Sequence, residues 1–403
     1  MADSLATLAD LVRRPSVNPM GRDVSGPEYL EGRLSDYLTQ RFTAAGIPWA
    51  RQPVSPGRDN VLARLEATQE GAPVVLWDAH QDTVPVDGMT IEPFVPLVRN
   101  GRLQGRGACD VKGGMAAMLV GLDRLQSLGR PRPVTVVFSA TVNEEFGFSG
   151  ARALARLWRR EGDAPATDEA AQGLLQAAPL AAIVAEPTGL DIVGTHKGAV
   201  RWRIRIHGRA CHSSFPERGS NAIYHAAGAV LAIERLAAEL LSRTPDHPCG
   251  PPTLSLGTIH GGTGVNLVPD LVVLELDRRL VPGESSRAAR DEVIRRIADA
   301  CPEATIEHDE PFVEHPGLPE GGVAVRLGGR RLAERLVEAV ERLGRRSTIR
   351  AARYGTNASV FAAAGVPTMV FGPGSIDQAH TADEWIEIAQ VDLAADALVA
   401  AVT

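Results

Sequence analysis

The sequence predicts an α/β fold with a mixed central sheet flanked by helices, interrupted by a separate α+β domain. In the first half, apolar strands alternate with helical stretches, which is the pattern of an α/β sheet. From about residue 195 the pattern changes to half-buried alternating strands and long amphipathic helices, and after about residue 310 the first pattern resumes. We therefore predict a discontinuous first domain, residues 1–193 and 310–403, and an inserted domain, residues 194–309.

Polar side chains follow three apolar strands of the first domain, at the point where each strand ends. The strands are Val74 to Trp77, followed by His80; Val134 to Phe138, followed by Asn143-Glu144-Glu145; and Leu180 to Val184, followed by Glu186. Helices are predicted at residues 113–125 and 151–159 between them. Ligands of open α/β sheets bind beyond the carboxyl ends of the strands. The three polar clusters are therefore expected at one edge of the sheet.

The inserted segment has a different periodicity. Val200, Trp202, Ile204 and Ile206 alternate with arginines, which predicts a half-buried strand with one polar face. The other elements predicted there are strands at 253–259 and 271–276 and helices at 221–241 and 286–300. The first domain then closes with a helix at 331–343, a strand at 368–371 and a helix from residue 390.

Composition excludes several classes of function. The 403-residue chain is long for one core, and its 44% hydrophobic and 23% charged residues are typical of a globular protein. A net charge of -7 gives no support for a nucleic-acid or anionic membrane partner. No apolar run approaches the roughly 20 residues that span a bilayer, and the N-terminus lacks the basic region of a signal peptide. Four scattered cysteines indicate no disulfide framework. We predict a cytoplasmic protein.

The segment His80-Gln81-Asp82 is a candidate metal-ligand motif. Residues two apart point to the same side of an extended segment. A ligating imidazole is usually fixed by a nearby carboxylate, so His80 could ligate a metal with Asp82 as its partner. The alternative is a polar loop after a strand.

A glycine-rich segment surrounds Asp110, from Gly105 to Gly114. Glycines before a helix suggest a phosphate cradle, but Lys112 is followed by two glycines rather than by Ser or Thr. The preferred interpretation is that the glycines permit an unusual backbone that aims Asp110 inward, where its two oxygens could bridge two metals. Neighbouring Cys109 is interpreted as a small bystander residue.

Two carboxylates, Glu144 and Glu145, lie together at a strand end. Buried like charges repel unless cations compensate, and a metal pair would do so. One glutamate could then ligate while the other serves as general base. The alternative is a solvated acidic loop, which the apolar strand before it disfavours.

Glu186 and His380 complete the candidate set. Glu186 directly follows an apolar run and must be satisfied by a metal, a helix cap or a salt bridge. His380 lies in a long loop after a strand, where a lone histidine is more often structural. Together with His80, Asp110 and Glu145 they form a mixed nitrogen and oxygen set that suits Zn²⁺, with Co²⁺ or Mn²⁺ as substitutes.

These motifs, in this order, resemble the M20 family of metallopeptidases and deacylases, which includes acetylornithine deacetylase and succinyl-diaminopimelate desuccinylase. The resemblance runs from Arg14-Pro15-Ser16-Val17-Asn18-Pro19 to His380-Thr381-Ala382-Asp383-Glu384. It implies a zinc-exopeptidase-like catalytic domain and a ferredoxin-like inserted lid or dimerisation domain.

The resemblance also implies a role for each candidate residue. His80 and His380 would each ligate one of two metal ions, Asp110 would bridge them ahead of a cis peptide, and Glu145 and Glu186 would complete the two ligand sets. Glu144 would be the general base, and Asp82 would orient His80.

In the inserted domain the resemblance assigns three further residues. His212 would stabilise the oxyanion, and in dimeric members this histidine comes from the partner subunit. Asn266 and Arg279 would hold the substrate carboxylate, a task for which arginine is well suited. The segment Gly355-Thr356-Asn357-Ala358 would border the substrate pocket, and its Asn357 replaces the aspartate of many relatives, which leaves the substrate open.

The function expected from this resemblance is removal of an acetyl or succinyl type of acyl group from a small N-acylated amino acid by metal-activated water. One alternative is a dipeptidase or carboxypeptidase of the same family. The alternative of another class is a non-catalytic amino-acid-binding protein on this fold. A homodimer through the inserted domain is the expected assembly.

Overall fold

The structure is a computed structural model that describes residues 3–129, 131–159, 168–175, 177–244 and 246–403. The chain divides into two compact units. The first consists of Met1–Gly194, Pro319–Arg350 and Thr356–Thr403, and the second of Thr195–Leu318 and Ala351–Gly355. Within the described ranges, no helix is both long and apolar enough to cross a bilayer.

The elements are numbered here in chain order. The helices are α1 (Ser4–Val12), α2 (Gly32–Ala45), α3 (Gly113–Gln126), α4 (Ser149–Arg159), α5 (Glu169–Leu175), α6 (Ala222–Leu241), α7 (Ser286–Ala300), α8 (Leu332–Arg342), α9 (Ala358–Ala363) and α10 (Ile388–Val402). The strands are β1 (Trp49–Ser55), β2 (Arg58–Leu65), β3 (Val74–His80), β4 (Leu97–Arg99), β5 (Arg102–Gln104), β6 (Thr135–Thr141), β7 (Ala181–Val184), β8 (Ile192–His196), β9 (Gly198–His207), β10 (Cys211–His212), β11 (Thr253–Gly261), β12 (Leu267–Val268), β13 (Leu271–Leu280), β14 (Thr305–His308), β15 (Val313–His315), β16 (Arg326–Leu327), β17 (Arg330–Arg331), β18 (Ile349–Ala352), β19 (Thr368–Phe371) and β20 (Trp385–Glu387).

The main sheet has eight strands in the order β1-β2-β6-β3-β7-β19-β8-β18. Its centre is parallel, because β3 pairs in parallel with β6 and β7, and β7 pairs in parallel with β19. Strands β2 and β8 are antiparallel to their inner neighbours β6 and β19. The sheet is therefore mixed and flanked by helices, which confirms the predicted fold class.

The parallel strands are apolar because both faces of the sheet are covered. All residues of β6 and β7 are buried. Helix α3 packs against α1 and α10. Met115, Met118, Leu119 and Leu122 of α3 are buried, together with most of its other residues.

In the second unit, β9 lies between β13 and β14 in an antiparallel sheet. Its predicted alternation is confirmed: Val200, Trp202, Ile204 and Ile206 are buried and the arginines between them are half-buried. The buried side chains pack with those of α6 and α7, including Ile233 and Val293, so the helices cover one face of this sheet.

Candidate metal centre

The strand ends bring the polar clusters of the first unit together. His80 is the last residue of β3, Glu144 and Glu145 follow β6, and Glu186 follows β7. Since β3 is parallel to both neighbours, and His80 pairs with Thr141 in register, the three clusters lie at the same edge of the sheet.

Two groups of side chains at this edge have the spacing of metal ligands. His80, Asp110 and Glu186 form one group, and Asp110, Glu145 and His380 form the other, with the ligand atoms of each within 4.8 Å of one another. The Nε2 atom of His80 lies 3.1 Å from one Asp110 oxygen, and the Nε2 atom of His380 lies 3.3 Å from the other. Asp110 therefore offers a different oxygen to each group.

An irregular turn at residues 108–112 carries Asp110 into the site. Gly107 before it has a φ of 79°, and a Cβ there would approach Thr83 to 2.7 Å, so only glycine fits. The peptide bond after Asp110 is cis, as the family resemblance implies.

The backbone amides of this turn are occupied by a buried carboxylate. Glu384 accepts hydrogen bonds from the N–H groups of Gly107, Cys109 and Asp110 at 2.8–3.0 Å, and its other contact is the Arg106 guanidinium at 2.8 Å. A phosphate cradle would need those N–H groups as free donors, and here they already donate to Glu384. The turn therefore serves to place Asp110, as the preferred interpretation of the sequence holds.

The electrostatics of the centre are dominated by buried acid. Burial, with repulsion from Asp110 and other carboxylates, raises the pKa of both Glu144 and Glu186 well above the ordinary value. Burial alone would lower the pKa of the two histidines, but the surrounding carboxylates raise it, to about 11 for His380. Without a cation, burial and like charge thus oppose ionisation of Glu144 and Glu186, while the carboxylates favour the charged form of each imidazole. Asp110 differs: burial would raise its pKa, but its hydrogen bonds with His380 and His80 lower it.

The residues present fit divalent metal ions. Three buried carboxylates, those of Asp110, Glu144 and Glu186, and the partly buried carboxylate of Glu145 converge with two imidazoles. Within the described part of the chain, no lysine or arginine forms an ion pair with any of them. The excess of negative charge and the oxygen and nitrogen donors suit a cation such as Zn²⁺.

Asp82 acts differently from the sequence interpretation. The Nδ1 atom of His80 lies 2.8 Å from the backbone carbonyl of Asp82, while the nearest carboxylate oxygen is 3.8 Å away. The carboxylate instead accepts the backbone N–H groups of Glu144 at 3.0 Å and Glu145 at 3.1 Å. The main chain of Asp82 therefore orients the imidazole, and its side chain fixes the two glutamates.

Asn357 is buried, with 1% of its surface exposed. Its Nδ2 atom donates to Asp78 at 3.2 Å and to Thr141 at 2.9 Å. Burial raises the pKa of Asp78 to about 6, against the hydrogen bonds that it accepts. Contact of Asn357 with a substrate stays a prediction that this placement does not support.

The remaining candidates lie in the second unit. His212 is exposed at the end of β10, and its Nδ1 atom accepts the Ser214 N–H at 3.1 Å. The exposed Asn266 is adjacent, since its carbonyl accepts the Ser213 N–H at 3.0 Å. Arg279, on β13, pairs with Asp277 at 2.9 Å. Gly355 packs so tightly that a Cβ there would approach His315 to 2.2 Å.

Glu384 and Asn18 are site-supporting residues that the sequence interpretation left without a role. Glu384 holds the Asp110 turn, and Asn18 donates to the Asp82 carboxylate at 2.7 Å. Both lie in the two terminal motifs that carry the family resemblance. Membership of these motifs was the sequence signal that could have identified them. Neither residue lies near Asp110 or Asp82 in sequence.

Several solved structures share the fold over nearly the whole chain. The aminopeptidase PepT of Bacillus cereus is 24% identical, with a TM-score of 0.70 and coverage of 99% of this chain and 97% of that one. An M20 family metallo-carboxypeptidase of Sulfolobus solfataricus is 17% identical, with a TM-score of 0.77 and coverage of 100% and 99%. A Bacillus subtilis protein described as a dinuclear metal binding peptidase from the M20 family is 17% identical, with a TM-score of 0.64 and coverage of 99% and 96%. At these identities they show the fold.

The family follows from a separate comparison. The model of peptidase family M20/M25/M40 matches residues 76–403, which include every candidate ligand from His80 to His380. The sequence resemblance is thereby confirmed at the level of the family. The chain belongs to peptidase family M20/M25/M40 and is a metal-dependent hydrolase of amide bonds.

Proposed function

We propose that this protein removes an acyl group, of the acetyl or succinyl type, from a small N-acylated amino acid with the help of two divalent metal ions. The observation that carries the two-metal proposal is the position of Asp110, whose two oxygens face two separate ligand groups. Zn²⁺ is the preferred ion, and Co²⁺ or Mn²⁺ would suit the same donors.

The proposed ligand sets follow the two groups. His80 and Glu186 hold one ion with Asp110, and Glu145 and His380 hold the other. When bound, such ions polarise a carbonyl and acidify water. The irregular turn and Glu384 keep Asp110 between the two groups, since three backbone N–H groups of the turn are fixed to one carboxylate.

Glu144 is the proposed general base. It is buried, lies beside the ligand Glu145 and belongs to neither ligand group. We propose that its carboxylate takes a proton from the attacking water and returns it to the leaving amine. His212 is proposed to stabilise the oxyanion, and Asn266 and Arg279 to bind the substrate carboxylate. The Gly355–Asn357 segment is proposed to border the substrate pocket, with the Asn357 side chain bound to Asp78 instead of substrate.

Acyl removal ranks ahead of peptide cleavage on the sequence motifs. Two segments, Gly257-Thr258-Ile259-His260-Gly261-Gly262 and residues 378–385, resemble the acetylornithine deacetylase and desuccinylase branch. The peptidases among the similar structures favour the second candidate, a dipeptidase or carboxypeptidase. Rates on a panel of N-acetyl amino acids, N-succinyl amino acids and dipeptides, with zinc and with cobalt, decide between them. A preference for dipeptides would overturn the first choice.

We also propose a homodimer through the second unit. Strand β11 is at the edge of its sheet, and Tyr224 and Leu231 on α6 and Ile259 on β11 are large exposed apolar side chains. Pairing of β11 with β11 of a second copy would cover the open strand edge and these apolar side chains. Light scattering gives the mass in solution, and a monomer at all concentrations would contradict the dimer. A cytoplasmic location is part of the proposal, since none of the four cysteines forms a disulfide.

The proposed base has a direct test. Glu144→Ala removes the proton acceptor but none of the five proposed ligands, so turnover should fall by about 10²–10⁴-fold while metal content stays at the wild-type level. Glu320→Ala, at an exposed glutamate far along the chain, is the matched control and should change nothing. Near wild-type turnover in Glu144→Ala would remove Glu144 from the mechanism.

A further inference from the structure

The residue before the proposed base has an unusual backbone. Asn143 has a φ of 60°, in the left-handed region that few residues other than glycine adopt. Asparagine tolerates this region better than most residues because its short side chain can bond locally. The conformation places a sharp turn between the end of β6 and the carboxylates of Glu144 and Glu145.

The Asn143 side chain is bound from three separate parts of the first unit. Its Oδ1 atom accepts Arg58 Nη1 at 2.8 Å and Asn18 Nδ2 at 3.0 Å. Its Nδ2 atom donates to the Ser149 hydroxyl at 3.0 Å, and its backbone N–H donates to Glu31 Oε1 at 3.1 Å. The turn is thus tied to segments that lie more than 80 residues away in sequence.

The partners of Asn143 are themselves held. Glu31 is fully buried and accepts three hydrogen bonds from the Arg58 guanidinium at 2.7–3.1 Å. Asn18, also buried, donates the same Nδ2 group to Asp82 at 2.7 Å. Asp82 in turn holds the N–H groups of Glu144 and Glu145. We call Asn18, Glu31, Arg58, Asp82 and Asn143 the glutamate clamp.

The clamp separates two adjacent carboxylates into different tasks. Glu145 belongs to a ligand group and Glu144 does not, although both leave the same short turn. The left-handed residue and the two amides held by Asp82 fix the direction in which each side chain leaves that turn. A metal bound to Glu145 would hold that side chain but not the backbone of Glu144. The position of Glu144 therefore depends on the clamp.

We propose that Asn143 is a positioning residue for Glu144, acting through its doubly bound side-chain oxygen. The inference rests on the proposed role of Glu144 as general base. The side chain and N–H group of Asn143 bond to Arg58, Asn18, Ser149 and Glu31, and none of these belongs to a ligand group. Its loss should therefore affect the proton transfer and spare both metal binding and ground-state substrate binding.

The test compares three variants of the zinc-loaded enzyme on its best substrate from the panel. Asn143→Gly keeps the left-handed backbone and removes the side chain, and it should lower kcat by about 10- to 100-fold, with KM and zinc stoichiometry unchanged. Asn143→Asp keeps an oxygen for Arg58 and Asn18, and Ser149 can donate to it, so kcat should return to within a few-fold of wild type. The matched control is Asn100→Gly, the same substitution at an exposed asparagine with a φ of 52°, and it should leave kcat unchanged.

Two further measurements distinguish positioning from support of the fold. Zinc affinity by chelator competition and the melting temperature should stay near wild type in Asn143→Gly. Asn18→Ala removes one of the two donors to the same oxygen and gives a smaller loss of kcat, which keeps the test open should the glycine variant fold poorly. A fall in zinc affinity and melting temperature that parallels kcat would overturn the proposal.

A double variant separates this inference from the proposed function. If Asn143 acts through Glu144, then Glu144→Gln with Asn143→Gly should be no slower than Glu144→Gln alone. Multiplied losses in the double variant, or wild-type kcat in Asn143→Gly while Glu144→Gln is crippled, would overturn the positioning role alone. Full activity of Glu144→Gln would overturn the proposed base and the inference with it.

Discussion

The two units place carboxylates at strands in opposite ways. At the edge of the main sheet, Asp110, Glu144 and Glu186 are buried without a lysine or arginine partner in the described chain. On the sheet of the second unit, Glu275, Asp277 and Asp309 are partly exposed, and each pairs with an arginine of β9 at 2.7–3.0 Å. The first arrangement needs protons or cations from outside the chain to balance its charge, whereas the second is balanced by the chain itself.

This difference teaches that an acidic cluster indicates a site only when its charge is left uncompensated. A surface pair in water contributes little and tolerates change. A buried set of like charges is stable only with protons or a metal. The predictions that follow change the charge balance of one unit or the other.

Metal removal should have the largest effect. With the metals chelated, activity should be lost, and stability should fall as the pH rises. Burial raises the folded pKa values of Glu144 and Glu186 above the usual 4.5. Burial alone would lower the pKa of His380, but the Asp110 and Glu145 carboxylates raise it to about 11. At these three groups the folded state therefore binds protons more tightly than the unfolded state. Their stabilisation is present at low pH and lost as the pH rises through the folded pKa values.

The measurement is the melting temperature from pH 5 to pH 9, with zinc and with chelator. The melting temperature of the chelated protein should fall as the pH rises from 5 to 9, and that of the zinc-loaded protein should fall much less. Parallel curves for the two forms would show that the acidic cluster does not depend on a cation.

Asp82→Asn should have the next largest effect on activity. The substitution removes the charge that holds the amides of Glu144 and Glu145, while the backbone carbonyl that orients His80 remains. Supporting residues of metal sites typically contribute about 10- to 100-fold to activity or metal affinity. Steady-state kcat and zinc content measure the effect. If the variant binds less zinc but keeps the wild-type kcat per bound zinc, the predicted effect on Glu144 is contradicted.

Asn357→Asp should destabilise the fold without changing KM. It sets a second carboxylate against the buried Asp78, with an expected loss of about 1–3 kcal/mol in the free energy of unfolding. The loss should be larger at pH 8 than at pH 5, because protonation of one carboxylate relieves the repulsion.

The matched control restores the balance. Asp78→Asn combined with Asn357→Asp exchanges the two side chains and should recover much of the stability that Asn357→Asp alone loses. Urea denaturation measures the free energy of unfolding of both variants. A large change in KM for Asn357→Asp at wild-type stability would instead favour a direct role in substrate specificity.

The smallest effect is expected on the balanced sheet. Removing both Arg203 and Glu275 by alanine, in a double-mutant cycle, should give a coupling energy of about 0.2–1 kcal/mol, since both side chains are more than 30% exposed. Denaturation at low and high salt measures it. A coupling above 2 kcal/mol would erase the contrast between the two units.

The sequence was sufficient for the centre of the fold and for the polar residues that converge at its edge. Unbroken apolar runs identified β3, β6 and β7, and the residues that follow them converge as expected. The β1–β2 hairpin was missed because residues such as Arg51, Gln52 and Asn60 interrupt its apolar pattern. Two of these, Gln52 and Asn60, are buried and form a hydrogen bond with each other, a contact that periodicity does not reveal.

The supporting network was beyond sequence reasoning for a physical reason. Asn18 and Asp82 meet across 64 positions, and Glu384 meets the Asp110 turn across 274. Spacing rules describe neighbours on one element, so they found His80 and Asp82 but not the contacts of the Asp82 carboxylate with the N–H groups of Glu144 and Glu145. The polar residues that bind such partners have no periodic signature of their own.

The location of Glu384 has a consequence for biosynthesis. The proposed ligand His380 and the carboxylate that anchors the Asp110 turn lie four residues apart on one late segment of the chain. During translation the earlier ligands emerge first, but the turn has no anchor and the second ligand group no imidazole until that segment leaves the ribosome. The candidate metal centre is thus complete only after this segment is available to fold.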